Sequence, residues 1–257
     1  MKLQNAIMSI MVIDTLINKY HEQLDTLAKS ETPAVEEAAQ LVWKTLQDGG
    51  AIWLAEIGHS LQKDFLGRAG GLAALRHFAW NLTLDQTMSD AFASRVKENE
   101  EKRALAATRL AVESGNMRAG DVLVLGSVSG KNSMPVELAL SARALGAKVI
   151  AFTSMTYTRD VESVHPSGKR LFECADIVLD LHTPYGDCAM PIAGYDHLLV
   201  PFSGFSAIVL GWMLWSRVME LGGEMPGEAP VTYMSVNRDG GREAVDAAKK
   251  IFNTRGY

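Results

Sequence analysis

Cysteine is scarce in this chain: of 257 residues only Cys174 and Cys188 carry a thiol, and they are not in a C-x-x-C spacing. That excludes a disulfide scaffold and predicts a reducing, cytoplasmic setting. Cys174 lies in the helix-like run Lys169-Arg-Leu-Phe-Glu-Cys-Ala175, which reads as a structural thiol and not a nucleophile. Positive charge is not in excess either, with 25 Lys and Arg against 30 Asp and Glu, so a nucleic-acid surface is not expected. No charge occurs between His197 and Arg217, but Pro201, Ser203, Gly204 and Ser206 interrupt that stretch. Only Ala207 to Trp215 is continuously apolar, too short to span a bilayer, and it predicts a buried or intersubunit helix. The first residues contain Met8 to Ile13, but Asp14 and Lys19 follow without a small-residue cleavage site, so no secretory leader is expected.

What is present is enough apolar residue, 47%, to bury a sizeable core without metal or disulfide support. Leu3, Ala6, Ile10, Ile13, Ile17, Tyr20, Leu24 and Leu27 keep a 3-4 spacing that predicts a first helix with a coiled-coil-type seam, suited to a homodimer or homotetramer. Ser30-Glu-Thr-Pro33 caps a second helix that ends at Asp48-Gly-Gly50. Residues 1–50 are therefore expected to be a helical packing segment and residues 51–257 the main domain.

After Gly50, strand and helix patterns alternate. Strands are expected at Ala51 to Ile57, Val122 to Leu125, Lys148 to Thr153, Asp176 to Leu181, His197 to Val200 and Val231 to Val236. Helices are expected over Val136 to Leu145, Ala207 to Leu221 and Arg242 to Phe252. Such alternation predicts an α/β fold, a three-layer αβα sandwich about a mainly parallel sheet of about five strands, with ligands at the carboxyl ends of the strands.

One turn at that edge stands out. The apolar strand Val122 to Leu125 runs into Gly126-Ser-Val-Ser-Gly-Lys-Asn132, and Pro135 fits the first turn of a following helix. Hydroxyls of Ser127 and Ser129, amides around Gly130 and the Asn132 side chain form a cradle suited to a phosphate or sulfonate. The spacing is one residue short of a Walker A loop, with Asn132 where a magnesium-binding Ser or Thr would stand. Neither this turn nor the one at Gly58 spells G-x-G-x-x-G, and the next strand ends in Thr153-Ser154 without a ribose-binding acid. Nucleotide hydrolysis and nicotinamide chemistry are thus not expected, no cofactor is implied, and His, Asp and Glu are too scattered for a metal spacing.

Gly58-His-Ser60, Ser127-Val-Ser-Gly130 and Ala142-Arg-Ala-Leu-Gly-Ala-Lys-Val-Ile-Ala-Phe-Thr-Ser154 resemble the sugar isomerase (SIS) domain superfamily. Arg68-Ala-Gly-Gly71, Pro135-Val-Glu137, His165-Pro-Ser-Gly-Lys-Arg170 and Pro184-Tyr-Gly-Asp187 are similar to a stand-alone branch of it described as phosphosugar or phosphoheptose isomerases. The resemblance spans nearly the whole chain. It implies that Ser60, Ser127, Ser129 and Asn132 hold a phosphate, with Asn132 where Thr is commonest.

An aldose–ketose isomerase needs a base beside the carbonyl and an acid to shuttle protons between two oxygens. Glu137, His59 and His165 are the candidates. Glu137 also suits a helix-dipole role, His59 an orienting hydrogen bond, and His165 a basic lid with Arg159, Lys169 and Arg170. Arg68 is a further ligand candidate, and His182 and Asp187 are placed to bind sugar hydroxyls or to serve the Thr183-Pro-Tyr-Gly186 turn. The expected activity is isomerisation of a small anionic sugar. A β-eliminating lyase or etherase and a non-catalytic sugar-phosphate sensor are the alternatives, although the acidic balance of residues 1–50 disfavours contact with DNA.

Overall fold

The computed structural model describes the chain except residues 1, 58, 60, 84–88, 93–94, 96–99 and 226, with side chains from residue 12 onward. Five strands, β1 (Ile52–Ile57), β2 (Leu75–His77), β3 (Val122–Gly126), β4 (Lys148–Thr153) and β5 (Ile177–Asp180), form one sheet in the order β2-β1-β3-β4-β5. Every neighbouring pair is parallel. All five residues of β3 are buried, as a central strand covered on both faces must be.

The strand period of two divides the core. Val122 and Val124 face a cluster built with α1 (Lys2–Ser30), α2 (Thr32–Gln47) and α6 (Ser203–Gly223). Leu123 and Leu125 face the other cluster, built with α3 (Glu100–Ser114) and α4 (Ser133–Leu145). The three-layer sandwich follows from that alternation. The first helix is real, but its seam is only partly used: Tyr20 packs on Phe202 and Phe205, Gln23 bonds to Leu181, His182 and Ser206, and Leu27 is fully buried. Ile13, Ile17 and Leu24 stay exposed. The second helix supplies Val35, Ala38, Ala39 and Val42 to the main core.

Two expected strands require correction. Residues 197–200 contribute to β7 (Leu199–Pro201), which pairs antiparallel with β6 (Cys188–Met190) in a separate two-stranded hairpin. The chain reverses too soon after β6 for the crossover that parallel pairing requires. Residues 231–236 make only isolated bridges, Ala69 to Tyr233 and Leu72 to Thr232, because Gly67 and Gly70 at positive φ (64° and 79°) bend the facing segment out of line. The helix after β4 also starts at once, as α5 (Met155–Arg159) capped by Ser154, with the polar loop following it, and α7 (Gly241–Arg255) closes the described fold. Among the described residues no helix is long and apolar enough to cross a membrane.

Candidate functional site

The serine-rich bend leaves β3 at the carboxyl edge of the sheet. Gly126 pairs with Ile57 on one side and Phe152 on the other, and a Cβ there would lie 3.0 Å from Ile57 Cγ2 and 3.1 Å from Phe152 Cβ. Glycine is what lets three strands close at this point. Beyond it, four of the bend's carbonyls, those of Ser127, Val128, Gly130 and Lys131, are engaged by the protein. Gly130 N–H donates to Ser127 O, Ser154 N–H and Thr153 Oγ1 to Val128 O, Leu171 N–H to Gly130 O and Val164 N–H to Lys131 O. Gly130 takes φ 63°, and a Cβ there would sit 2.7 Å from Thr158 Oγ1.

With those acceptors engaged, donors remain. Asn132 is the N-cap of α4 but makes no side-chain cap bond, and the hydroxyls of Ser127 and Ser129 take no partner among the described residues. Asn132 is exposed, Ser129 half-buried and Ser127 buried. Ser127 faces a cavity of only about 10 Å³, lined also by Leu61, Phe152, Leu181 and Ser203, which is room for about one water. Ser129, Asn132 and the first amides of α4 lie on the open side of the bend, away from that cavity.

Two of the three acid–base candidates, Glu137 and His165, come together. Glu137, nine-tenths buried on α4, accepts two hydrogen bonds from Arg109 of α3, from Nε at 2.6 Å and Nη2 at 3.0 Å. His165 Nε2 lies 2.9 Å from Oε2, the oxygen that also accepts from Arg109 Nη2. The Ser167 amide donates to His165 Nδ1 at 3.1 Å, which makes Nδ1 the acceptor and puts the ring proton on Nε2, toward the carboxylate. Ser167 Oγ, 2.7 Å away, completes the sealing of Nδ1. The Arg109 hydrogen bonds, with His165 adding to them, hold the Glu137 carboxyl below the ordinary glutamate range in spite of its burial. Through His165 the carboxylate ties down the 164–171 loop, which in turn bonds to the carbonyls of Gly130 and Lys131.

The remaining expected residues separate. His59 is exposed, at φ 32°, two residues past the point where β1 pairs with Gly126. Ser60 lies outside the described residues. Arg68 is exposed with its carbonyl accepting from Gly71, and among the described residues no hydrogen bond or ion pair joins its side chain to the bend. Asp187 is not free for a sugar hydroxyl: Oδ1 accepts from the amides of Phe202 and Ser203, and Oδ2 from Ser203 Oγ, so its charge is spent capping α6. Turn chemistry prevails there, as it does at His182, whose ring pairs with buried Glu31 at 2.7 Å. Arg109 was not legible as a functional residue, since its partner lies 28 positions away and nothing local marks it. Ser154 was equally silent, although Ser154-x-x-Tyr157 has the spacing of a helix cap that could have flagged it.

The model of the SIS domain family matches residues 16–154, more than half of the chain. The chain belongs to the SIS domain family. Within it, this SIS-domain protein is 32% identical over 236 residues to a UPF0309 protein of Streptomyces avermitilis, covering 90% of this chain and 91% of the relative. It is equally 32% identical over 236 residues to a UPF0309 protein of Geobacillus thermodenitrificans, with the same coverage. Among solved structures, a phosphoheptose isomerase from Francisella tularensis superposes with a TM-score of 0.52 at 17% identity, over 82% of this chain and 98% of that one. That likeness shows the fold, and the chemistry has to be argued from the site.

Proposed function

We infer that this SIS-domain protein binds a sugar carrying a terminal phosphate, or a similar tetrahedral anion, and interconverts its aldose and ketose forms. The observation that supports the reading is the donor set on the bend: Ser129, Asn132 and the first amides of α4 lack partners among the described residues, while the carbonyls of Ser127, Val128, Gly130 and Lys131 are engaged by the protein. Open donors at a helix N-terminus suit an oxyanion, and the carboxylate bonded there, that of Glu101, is held by the Ser133 hydroxyl. Fixing that distal anion holds the reacting carbons in place.

Proton transfer falls to His59 in this reading. Its ring is exposed close to the bend, whereas both ring nitrogens of His165 are engaged and Glu137 is held ionised by Arg109. The imidazole takes the proton from the carbon next to the carbonyl, the carbonyl oxygen is protonated to give the enediol, and the proton is then returned to the former carbonyl carbon as the neighbouring hydroxyl gives up its own. The test is a thermal-shift screen of sugar phosphates, sulfonate analogues and free sugars, followed by solvent deuterium exchange on any stabilising ligand. Deuterium at the carbon beside the carbonyl, with every substituent retained, supports isomerisation. Loss of a leaving group points to elimination, and binding without exchange points to a sensor.

A further inference from the structure

Ser154 joins two loops at the ligand edge. Its amide donates to Val128 in the serine bend and its hydroxyl donates to Thr183 O at 2.6 Å, so the 182–187 loop and the bend hang from one fully buried residue. The same hydroxyl accepts from Tyr157 N–H, placing Tyr157 in the first turn of α5 beside both.

The 182–187 loop is held stiffly. His182, Gly186 and Asp187 have φ of 48°, 79° and 70°, a conformation that costs free energy at the two non-glycine positions. The His182 ring is tied to Glu31 at one end and Asp187 to the α6 amides at the other. What this loop presents is the Tyr185 ring, 61% exposed, braced from one side by Tyr157 with centroids 4.7 Å apart and planes at 57°. A large aromatic held to solvent on a strained, doubly anchored loop beside an anion cradle is not accounted for by core packing.

We propose that Tyr185, braced by Tyr157, is a stacking platform for the C–H face of a closed sugar ring whose phosphate sits on the serine bend. The inference rests on the proposed function and narrows its substrate class to sugar phosphates captured as pyranose or furanose, whose ring C–O bond opens, the anomeric hydroxyl giving up its proton and the ring oxygen gaining one, before the enediol forms. A ring offers a flat run of C–H groups that an aromatic face covers, and an open chain does not.

The experiment measures dissociation constants by calorimetry for three probes: inorganic phosphate, a hexopyranose with a terminal phosphate, and the open-chain hexitol phosphate made from it by borohydride reduction. The wild-type protein should prefer the ring form by about tenfold, the effect of covering one ring face. Tyr185→Ala should abolish that preference and leave inorganic phosphate unchanged, and Tyr185→Phe should restore it, because stacking uses the ring and not the hydroxyl. An unchanged melting temperature confirms that the exposed ring is not needed for folding. Binding of phosphate without ring preference, or Tyr185→Ala weakening all probes equally, overturns the platform and leaves the cradle standing. Binding of none of the three overturns both.

Discussion

Replacing the two bend serines one at a time separates the open face of the cradle from its closed face. Ser129 is half-buried on the side where Asn132 is exposed, and its hydroxyl has no protein partner to lose. Ser129→Ala removes one hydrogen bond to a charged ligand, about 1.5–3 kcal/mol, or about 10- to 150-fold in dissociation constant. Ser127 instead faces a cavity of about 10 Å³, too small for a phosphate, so Ser127→Ala should weaken binding by no more than about threefold. Neither variant should change unfolding free energy by more than about 0.5 kcal/mol, since neither breaks an internal bond. Titration calorimetry with inorganic phosphate, alongside urea unfolding, reads both quantities. Equal loss of affinity in the two variants would mean that the anion enters from the cavity side, and unchanged affinity in Ser129→Ala would remove the open face from recognition.

Further expectations concern the groups that hold the site in shape. Glu137 titrates below the ordinary glutamate value of 4.5 because Arg109 bonds it, so its stabilising contribution is complete above that value and is lost as pH falls through the folded one. Glu137→Gln should therefore flatten the acid limb of melting temperature against pH, and a limb as steep as the wild type's would contradict the pairing. Arg109→Ala should lower the urea-unfolding midpoint, because it leaves the buried Glu137 carboxylate with only His165 and Ser141 as side-chain partners, and an unchanged midpoint would contradict the pairing. Gly211→Ala would put a Cβ 2.2 Å from Cζ of the fully buried Phe65, so a net loss of about 1–2 kcal/mol is expected after the helix-propensity gain, seen as a melting temperature lower by several degrees. Asp187→Ala should destabilise by about 1–2 kcal/mol through loss of the α6 cap, and a change in ligand affinity without a stability loss would return Asp187 to the ligand.

The sheet was legible because its interior strands are short apolar runs bounded by glycine and polar turns: Val122 to Leu125 and Lys148 to Thr153 could scarcely be anything else. Strand β2 was not, since three residues ending in a partly exposed Arg76 and an exposed His77 carry no periodicity to detect. Residues 197–200 and 231–236 have strand composition, but composition says nothing about which edge is free to accept them. At the site, the bend could be read because an anion cradle is local, five or six consecutive residues with a helix behind them. Glu137 and His165 could be named from their residue types, but their contact could not, and Arg109, which bonds the same carboxylate, sits on a different helix and has no sequence signature.

That difference explains why the bend is built with chemistry on both sides. A cradle made of backbone amides works only if its carbonyls are held away from the anion, and each of those carbonyls needs a donor from elsewhere. Ser154 serves Val128, while the 164–171 loop serves Gly130 and Lys131. That loop is itself held by the hydrogen bond from His165 to the buried Glu137 carboxylate, which Arg109 pairs from its half-exposed side, so the cluster supports the cradle's geometry. A residue acting this way changes affinity through geometry. Arg109→Ala should thus weaken inorganic phosphate binding less than Ser129→Ala does, and the loss should be recovered in Arg109→Lys, which keeps the charge next to Glu137. If Arg109→Lys were as weak as Arg109→Ala while both stayed fully folded, the bidentate guanidinium itself, and not its charge, would be what sets the loop.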